Sequence, residues 1–210
     1  MNSLLMFKQI LLAVFLLIFS LVKAQENLDS LHLKPNPIVF GDFSLGYSNG
    51  FIRGFAVGGS INYQNKNDLF TFRALQVINI KKINFFLIFP INIESETMTE
   101  YSLLYGKRYI EDGFSYHFSG GISYASYDRS FENDNLTIDY VGFPIEAGIS
   151  WFKKKKQRFR IFYGLIPVGK PTGFGRSIGF KLHANIAKRS YVGLGLTFGL
   201  GWHKIYKNDE

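Results

Sequence analysis

From Tyr191 to Trp202 the chain alternates with a period of two. Val192, Leu194, Leu196, Phe198, Leu200 and Trp202 fall on one face, and Tyr191, Gly193, Gly195, Thr197, Gly199 and Gly201 on the other. Successive side chains of a strand point to opposite faces, so this run demands a sheet with two unlike sides. It also exceeds the usual strand of ~5–6 residues. The segment before it repeats the pattern, with Ile178, Phe180, Leu182, Ala184 and Ile186 against Ser177, Gly179, Lys181, His183 and Asn185. The polar stretch Ala187-Lys188-Arg189-Ser190 joins the two as a hairpin.

Six further segments alternate, so that strands are predicted around 38–47, 54–64, 69–79, 98–108, 113–127, 138–152, 176–188 and 190–204. The third is the least regular. Gln76 falls on its apolar face while Leu75 and Val77 fall on the other, and a bulge would reconcile them. Two more apolar stretches, Ile83 to Ile93 and Arg158 to Val168, contain Pro90 and Pro167, which argue against central strands. The first reads as part of a long loop and the second as a long turn or partial plug. Using both as strands would give a barrel of ten rather than eight.

Alternation alone does not say which face looks inward, because a soluble sandwich or barrel also alternates, with its apolar face inside. The polar face decides. Water-facing strand positions of soluble proteins carry Lys, Glu, Thr or Arg, whereas glycine weakens a strand. Here that face is Gly, Ser, Ala and Asn with occasional charges, which suits the narrow interior of an eight-stranded barrel. The face rich in Phe, Leu, Ile and Tyr is then left for lipid. A strand of about ten residues tilted near 45° covers an apolar band of roughly 25 Å. Tyr47, Tyr63, Tyr124, Trp151 and Trp202, near strand ends, fit interfacial girdles. The expected fold is all-β, an antiparallel up-and-down transmembrane β-barrel of about eight strands.

The start of the chain agrees. Lys8 precedes an apolar run from Ile10 to Val22, and Val22 and Ala24 suit cleavage after Ala24, the pattern of a secretory signal. As a helix that run covers roughly 20 Å, short of the ~30 Å hydrocarbon core, which argues against an anchor. No later run approaches the eighteen apolar residues of a membrane helix, so a mature chain in a membrane crosses it as strands. The expected organisation is a cleaved signal at 1–24, a periplasmic lead at 25–37, an outer-membrane barrel at 38–204 and a tail at 205–210. The net charge of +8 includes Lys8 and Lys23 of the signal, and export argues against nucleic acid as a partner. The absence of cysteine excludes disulfides, thiolate metal sites and lipid-modified cysteine.

The stretches 104–109 (Leu-Tyr-Gly-Lys-Arg-Tyr) and 141–146 (Val-Gly-Phe-Pro-Ile-Glu), with the closing Gly193-Leu194-Gly195-Leu196, resemble uncharacterised small outer-membrane barrel proteins of the Bacteroidota type. In scale the chain is similar to OmpX-like barrels. The resemblance covers most of the mature chain and implies outer-membrane lipid and the barrel assembly machinery as partners. Such barrels often end on an aromatic residue read by that machinery. This chain runs on through Lys207-Asn208-Asp209-Glu210, leaving Phe198, Trp202 or Tyr206 to serve.

Inward positions gather Asp42, Arg73, Glu100, Arg108, His117, Glu146, Lys181 and His183. Enclosed in a barrel they must pair, so a polar network of opposite charges is expected in the lumen. Its functional reading is a narrow channel or ligand site, and its structural reading a packed core. His117-Phe118-Ser119 also resembles the His-x-Ser pair of lipid A deacylases, with Glu146 to orient the ring and His117 to deprotonate Ser119. That chemistry needs both side chains on the lipid face, and alternation puts them inside. His32, His117, His183 and His203 have no metal-ligand spacing, so neither metal nor cofactor is expected. Lys153 to Lys156, with Arg158 and Arg160, could bind lipid phosphates or simply be a solvated periplasmic turn. Gly164, Gly169 and Lys170 have the spacing of a phosphate-binding loop, but Pro171 stands where Ser or Thr should be and no helix pattern follows. Tyr127 to Asn135, carrying Asp128, Arg129, Glu132 and Asp134, reads as an external loop suited to adhesion. The expected role is non-enzymatic, structural or surface-interacting, with its external ligand unknown. A channel, a deacylase-like hydrolase and a soluble periplasmic β-barrel are the alternatives.

Overall fold

A computed structural model describes residues 37–86, 89–131, 134–162 and 166–206. The predicted signal at 1–24, nearly all of the lead at 25–37 with His32, and the end of the tail lie outside the described residues. Ten strands follow in order: β1 (Ile38–Gly50), β2 (Gly54–Asn65), β3 (Asp68–Phe86), β4 (Phe89–Glu111), β5 (Phe114–Phe131), β6 (Asp134–Phe152), β7 (Gln157–Ile161), β8 (Ile166–Thr172), β9 (Phe174–Ala187) and β10 (Tyr191–Trp202). Eight of them close a barrel in the order β1-β10-β9-β6-β5-β4-β3-β2, and β7 and β8 form a two-stranded sheet of their own. Every pairing is antiparallel, and β1 meets β10 from Phe40↔Gly201 to Gly50↔Tyr191, which leaves no open edge along that seam.

The alternation resolves in favour of an apolar exterior. Outward side chains such as Ile61, Leu103, Phe118, Val141, Phe143 and Leu194 are 58–68% exposed, whereas the inward Glu100, Glu146, Arg73 and Lys181 are at most 5% exposed. A barrel with its apolar face inward is therefore not what this chain forms. Soluble monomers rarely expose contiguous apolar patches beyond a few hundred Å², so a belt of this kind needs an apolar solvent.

Two expectations are corrected and one alternative is excluded. The third strand has no bulge between Asp68 and Ile80, where its register with β4 is continuous. Gln76 faces outward, and Leu75 and Val77 point inward, because the lumen at that level is itself apolar. Residues 83–86 and 89–93 are strand rather than loop: β3 and β4 stay paired to Phe86↔Phe89, after register shifts between Ile80 and Ile83. Pro90 is tolerated because β5 pairs with β4 only from Glu94 onward, so Pro90 sits on an edge that needs no N–H. The ten-stranded barrel is likewise excluded. The stretch around Pro167 pairs only within the β7–β8 hairpin, where every strand is an edge. Gly169 and Lys170 lie in β8 rather than in a loop before a helix, and Gly164 lies outside the described residues.

Both chain ends of the barrel, the tight turns Lys66-Asn67 and Asp112-Gly113, and the β6–β9 connection share one end, the terminal end. The β1–β2, β3–β4, β5–β6 and β9–β10 connections share the other, the hairpin end. Asp112 and Gly113 both take positive φ, 53° and 128°, as a two-residue hairpin turn requires. Pairing of β5 with β6 lapses between Gly120↔Ile145 and Ser123↔Gly142, opposite Pro144, which has no N–H to give. At this point β4 closes in: a Cβ on Gly121 would stand 1.9 Å from the Leu103 carbonyl oxygen. Because that atom is backbone and cannot swing away, Gly121→Ala is expected to destabilise the barrel by about 1–3 kcal/mol, measured as a lower urea midpoint.

Candidate functional site

The lumen is filled in three layers. Midway along the barrel, β3 and β4 bring Arg73 to Glu100 at 2.7 Å, and Arg73 also reaches Glu146 of β6 at 2.8 Å. Lys181 of β9 lies 3.1 Å from Glu146 and 3.3 Å from Asp42 of β1. His117 of β5 stands 3.2 Å from Glu146. Thus Asp42, Lys181, Glu146, Arg73 and Glu100 form one chain, with His117 as a branch. Neutral groups fill the remaining lone pairs. Glu100 accepts from Ser102, Asn185 and Tyr191, each at 2.6 Å, and Asp42 accepts from Asn62 at 2.8 Å and Ser60 at 3.0 Å. Buried charges persist only when so satisfied, because removing them from water costs several kcal/mol each.

Two of the predicted lumen residues stand apart from that chain. His183 shares a 3.2 Å contact with Ser48 and packs edge-on to Tyr191. Arg108, near the terminal end, meets no carboxylate among the described residues. It donates to Gln64 at 2.7 Å, the His203 carbonyl at 2.9 Å and Ser115 at 3.1 Å. The rings of Phe40 and Phe152 lie 4.6 and 5.5 Å from its guanidinium carbon, so aromatic faces take the place of an anion. Alternation shows that Arg108 points inward, but not that a ring rather than a carboxylate would meet it.

The third layer, at the hairpin end, is apolar and was not legible as a unit. Ile52 descends from the β1–β2 connection and is fully buried among Ala56, Leu75, Val77, Met98 and Tyr127. Above it the Arg189 guanidinium lies 4.1 Å from the Phe51 ring and 4.2 Å from that of Tyr127, and Phe51 N–H donates to the Ser190 carbonyl at 2.9 Å. The signal available in sequence was the pair Leu75 and Val77 on the otherwise polar face.

His117 and Ser119 both point inward, on the face away from any lipid substrate. The Ser119 hydroxyl is buried and has no hydrogen-bond partner among the described residues, so His117 is not poised to take its proton. Of the three aromatic residues considered as an end signal, Phe198 is exposed in mid-strand and Trp202 closes β10. Tyr206 is buried, and its hydroxyl donates to the Lys153 carbonyl at 2.8 Å.

No protein-family model and no curated sequence matches this chain. Similar solved structures include the N-terminal β-barrel domain of Pseudomonas aeruginosa OprF, at 12% identity over 78% of this chain and 99% of that one, with a TM-score of 0.44. Ail, the attachment invasion locus protein of Yersinia pestis, is 11% identical over 80% of this chain and 99% of its own, with a TM-score of 0.48. Neisserial surface protein A is 10% identical over 78% and 95%, with a TM-score of 0.46. The closed eight-stranded antiparallel barrel stands on the strand pairing itself.

The tips of β3 to β6 rise beyond the rest of the barrel. Pairing of β2 with β3 stops at Phe55↔Ile78, and pairing of β6 with β9 begins only at Gly142↔Ala187. Between those limits β5 and β6 remain paired to Phe131↔Asp134, so 127–131 and 134–135 are paired strand rather than the open loop expected. Thr137 donates to Asp128 across the pairing at 2.6 Å.

Proposed function

We propose that this chain is an exported protein of the bacterial outer membrane. We read it as a barrel that neither catalyses nor conducts and that offers its raised β3–β6 sheet to partners outside the cell. The observation that carries the membrane reading is the exposed apolar belt around a lumen of buried charges. Strands of this length, tilted near 40°, span roughly 25 Å of hydrocarbon. The surface role is supported by the edge of β6 facing away from β5, from Asp134 to Val141, where β9 does not reach and no described strand pairs. Unpaired edges are ready templates for an added strand.

Heat-modifiability on a gel tests the membrane reading. Unboiled protein from outer-membrane fractions is expected to run faster than boiled protein, as a closed barrel resists detergent. Soluble protein with no mobility shift would overturn it. The packed lumen bears on conduction. A pore wide enough for water would leave Glu100, Glu146 and Met98 exposed, and each is at most 1% exposed. Planar bilayers carrying the folded barrel are expected to show no steady current. A stable stepwise conductance would contradict the plugged lumen.

A further inference from the structure

The charge of the barrel is unevenly divided between its ends. At the hairpin end the signs are mixed, Arg53, Lys81, Arg129, Lys188 and Arg189 standing with Glu96, Asp128 and Asp139. At the terminal end lie Lys66, Lys107, the run 153–156, Arg176 and Lys204, with Asp68, Glu111 and Asp112 as the acids among the described residues there. Two of these acids are already engaged, Asp68 by Lys107 at 2.7 Å and Asp112 by Lys154 at 2.9 Å. Lys154 also holds the Asp112 carboxyl below its usual range. The excess positive charge therefore forms a collar around one rim.

Along the same rim the outward aromatic residues touch one another. Tyr109 stacks on Tyr116 with ring centres 5.2 Å apart, Phe114 lies 5.7 Å from Trp151, and Phe174 lies 5.1 Å from Trp202. Such rings settle at the headgroup level of a bilayer, which puts Lys153 to Lys156, just after Trp151, and Lys204, just after Trp202, at the plane of the phosphates. A soluble polyanion would need the charge but not the aromatic ring that sets its depth.

We propose that this basic collar binds the phosphate groups of anionic phospholipids in the leaflet that the terminal end occupies. The inference rests on the membrane reading above. The test uses the mature chain, residues 25–210, folded into phosphatidylcholine vesicles containing spin-labelled phosphatidylglycerol or spin-labelled phosphatidylcholine. The fraction of motionally restricted label is read by electron paramagnetic resonance. A preference of roughly three- to fivefold for the anionic lipid is expected at low salt, lost at 1 M salt as screening sets in. The preference is expected to fall toward unity in the combined variant Lys153→Gln, Lys154→Gln, Lys155→Gln and Lys156→Gln, whose heat shift shows that it still folds. Equal restriction of both lipids by a heat-shifted barrel overturns the collar and leaves the membrane reading standing. A preference undiminished in the variant overturns its assignment to the lysine run, and inorganic polyphosphate bound in place of lipid overturns the choice of partner. A chain that takes up no heat-modifiable form in either lipid sinks both readings.

Discussion

Replacing Glu146 by alanine is expected to cost the barrel about 3–5 kcal/mol, the penalty for stranding buried charges whose partner has gone. Glu146 is the hub of the middle layer, holding Arg73 at 2.8 Å, Lys181 at 3.1 Å and His117 at 3.2 Å, with its own side chain fully enclosed. Its loss leaves Glu100 as the carboxylate on Arg73 and Asp42 as that on Lys181 among the described residues. Urea titration of the vesicle-bound barrel, followed through the two tryptophans Trp151 and Trp202 and by the heat shift, gives the number. Adding Arg73→Leu to Glu146→Ala is expected to cost less than the sum of the single changes, with a coupling of about 1–3 kcal/mol, because the two side chains act as one pair. Strict additivity would mean that the pair does not contribute as drawn.

Leu196→Arg is expected to cost about 2–4 kcal/mol in a bilayer, the range for a cation on the lipid face near the midplane. Leu196 lies at the middle of β10, outward-facing and 42% exposed, between Leu45 on β1 and Phe180 on β9. On a water-exposed surface the same substitution would change stability by no more than about 0.5 kcal/mol. The size of the effect thus reports which solvent that face meets. Leu196→Ala serves as the reference for side-chain loss, and a Leu196→Arg barrel as stable as this reference would contradict lipid contact.

Most of the barrel was legible because a period of two survives any choice of register. All eight barrel strands lie over the segments expected, and the polar face is inward because only small residues and paired charges fit there. Less legible was what depends on height along the barrel. Leu75 and Val77 look misplaced on a polar face until Ile52, Met98 and Tyr127 are seen beside them, and strand stagger rather than strand pattern brings those together. Pro90 and Pro167 mark edges, and whether an edge is a loop or a paired hairpin depends on neighbours far away in sequence. The same holds for the site. The inward direction of Asp42, Arg73, Glu100, His117, Glu146 and Lys181 follows from alternation, while Glu146 as their hub follows only from cross-barrel distances. Arg108 between two rings has no counterpart in the pattern at all.

The central claim, an apolar face turned to lipid around a packed lumen, is tested most directly by spin labels placed one at a time from Val192 to Leu200 of β10. The chain has no cysteine, so each introduced thiol is unique. In vesicles, accessibility to oxygen is expected to peak at 192, 194, 196, 198 and 200, where oxygen dissolves in the hydrocarbon. Labels at 193, 195, 197 and 199 should be shielded from both oxygen and a water-soluble nickel chelate. High accessibility of the even positions to the nickel chelate would put water on that face and contradict a membrane barrel.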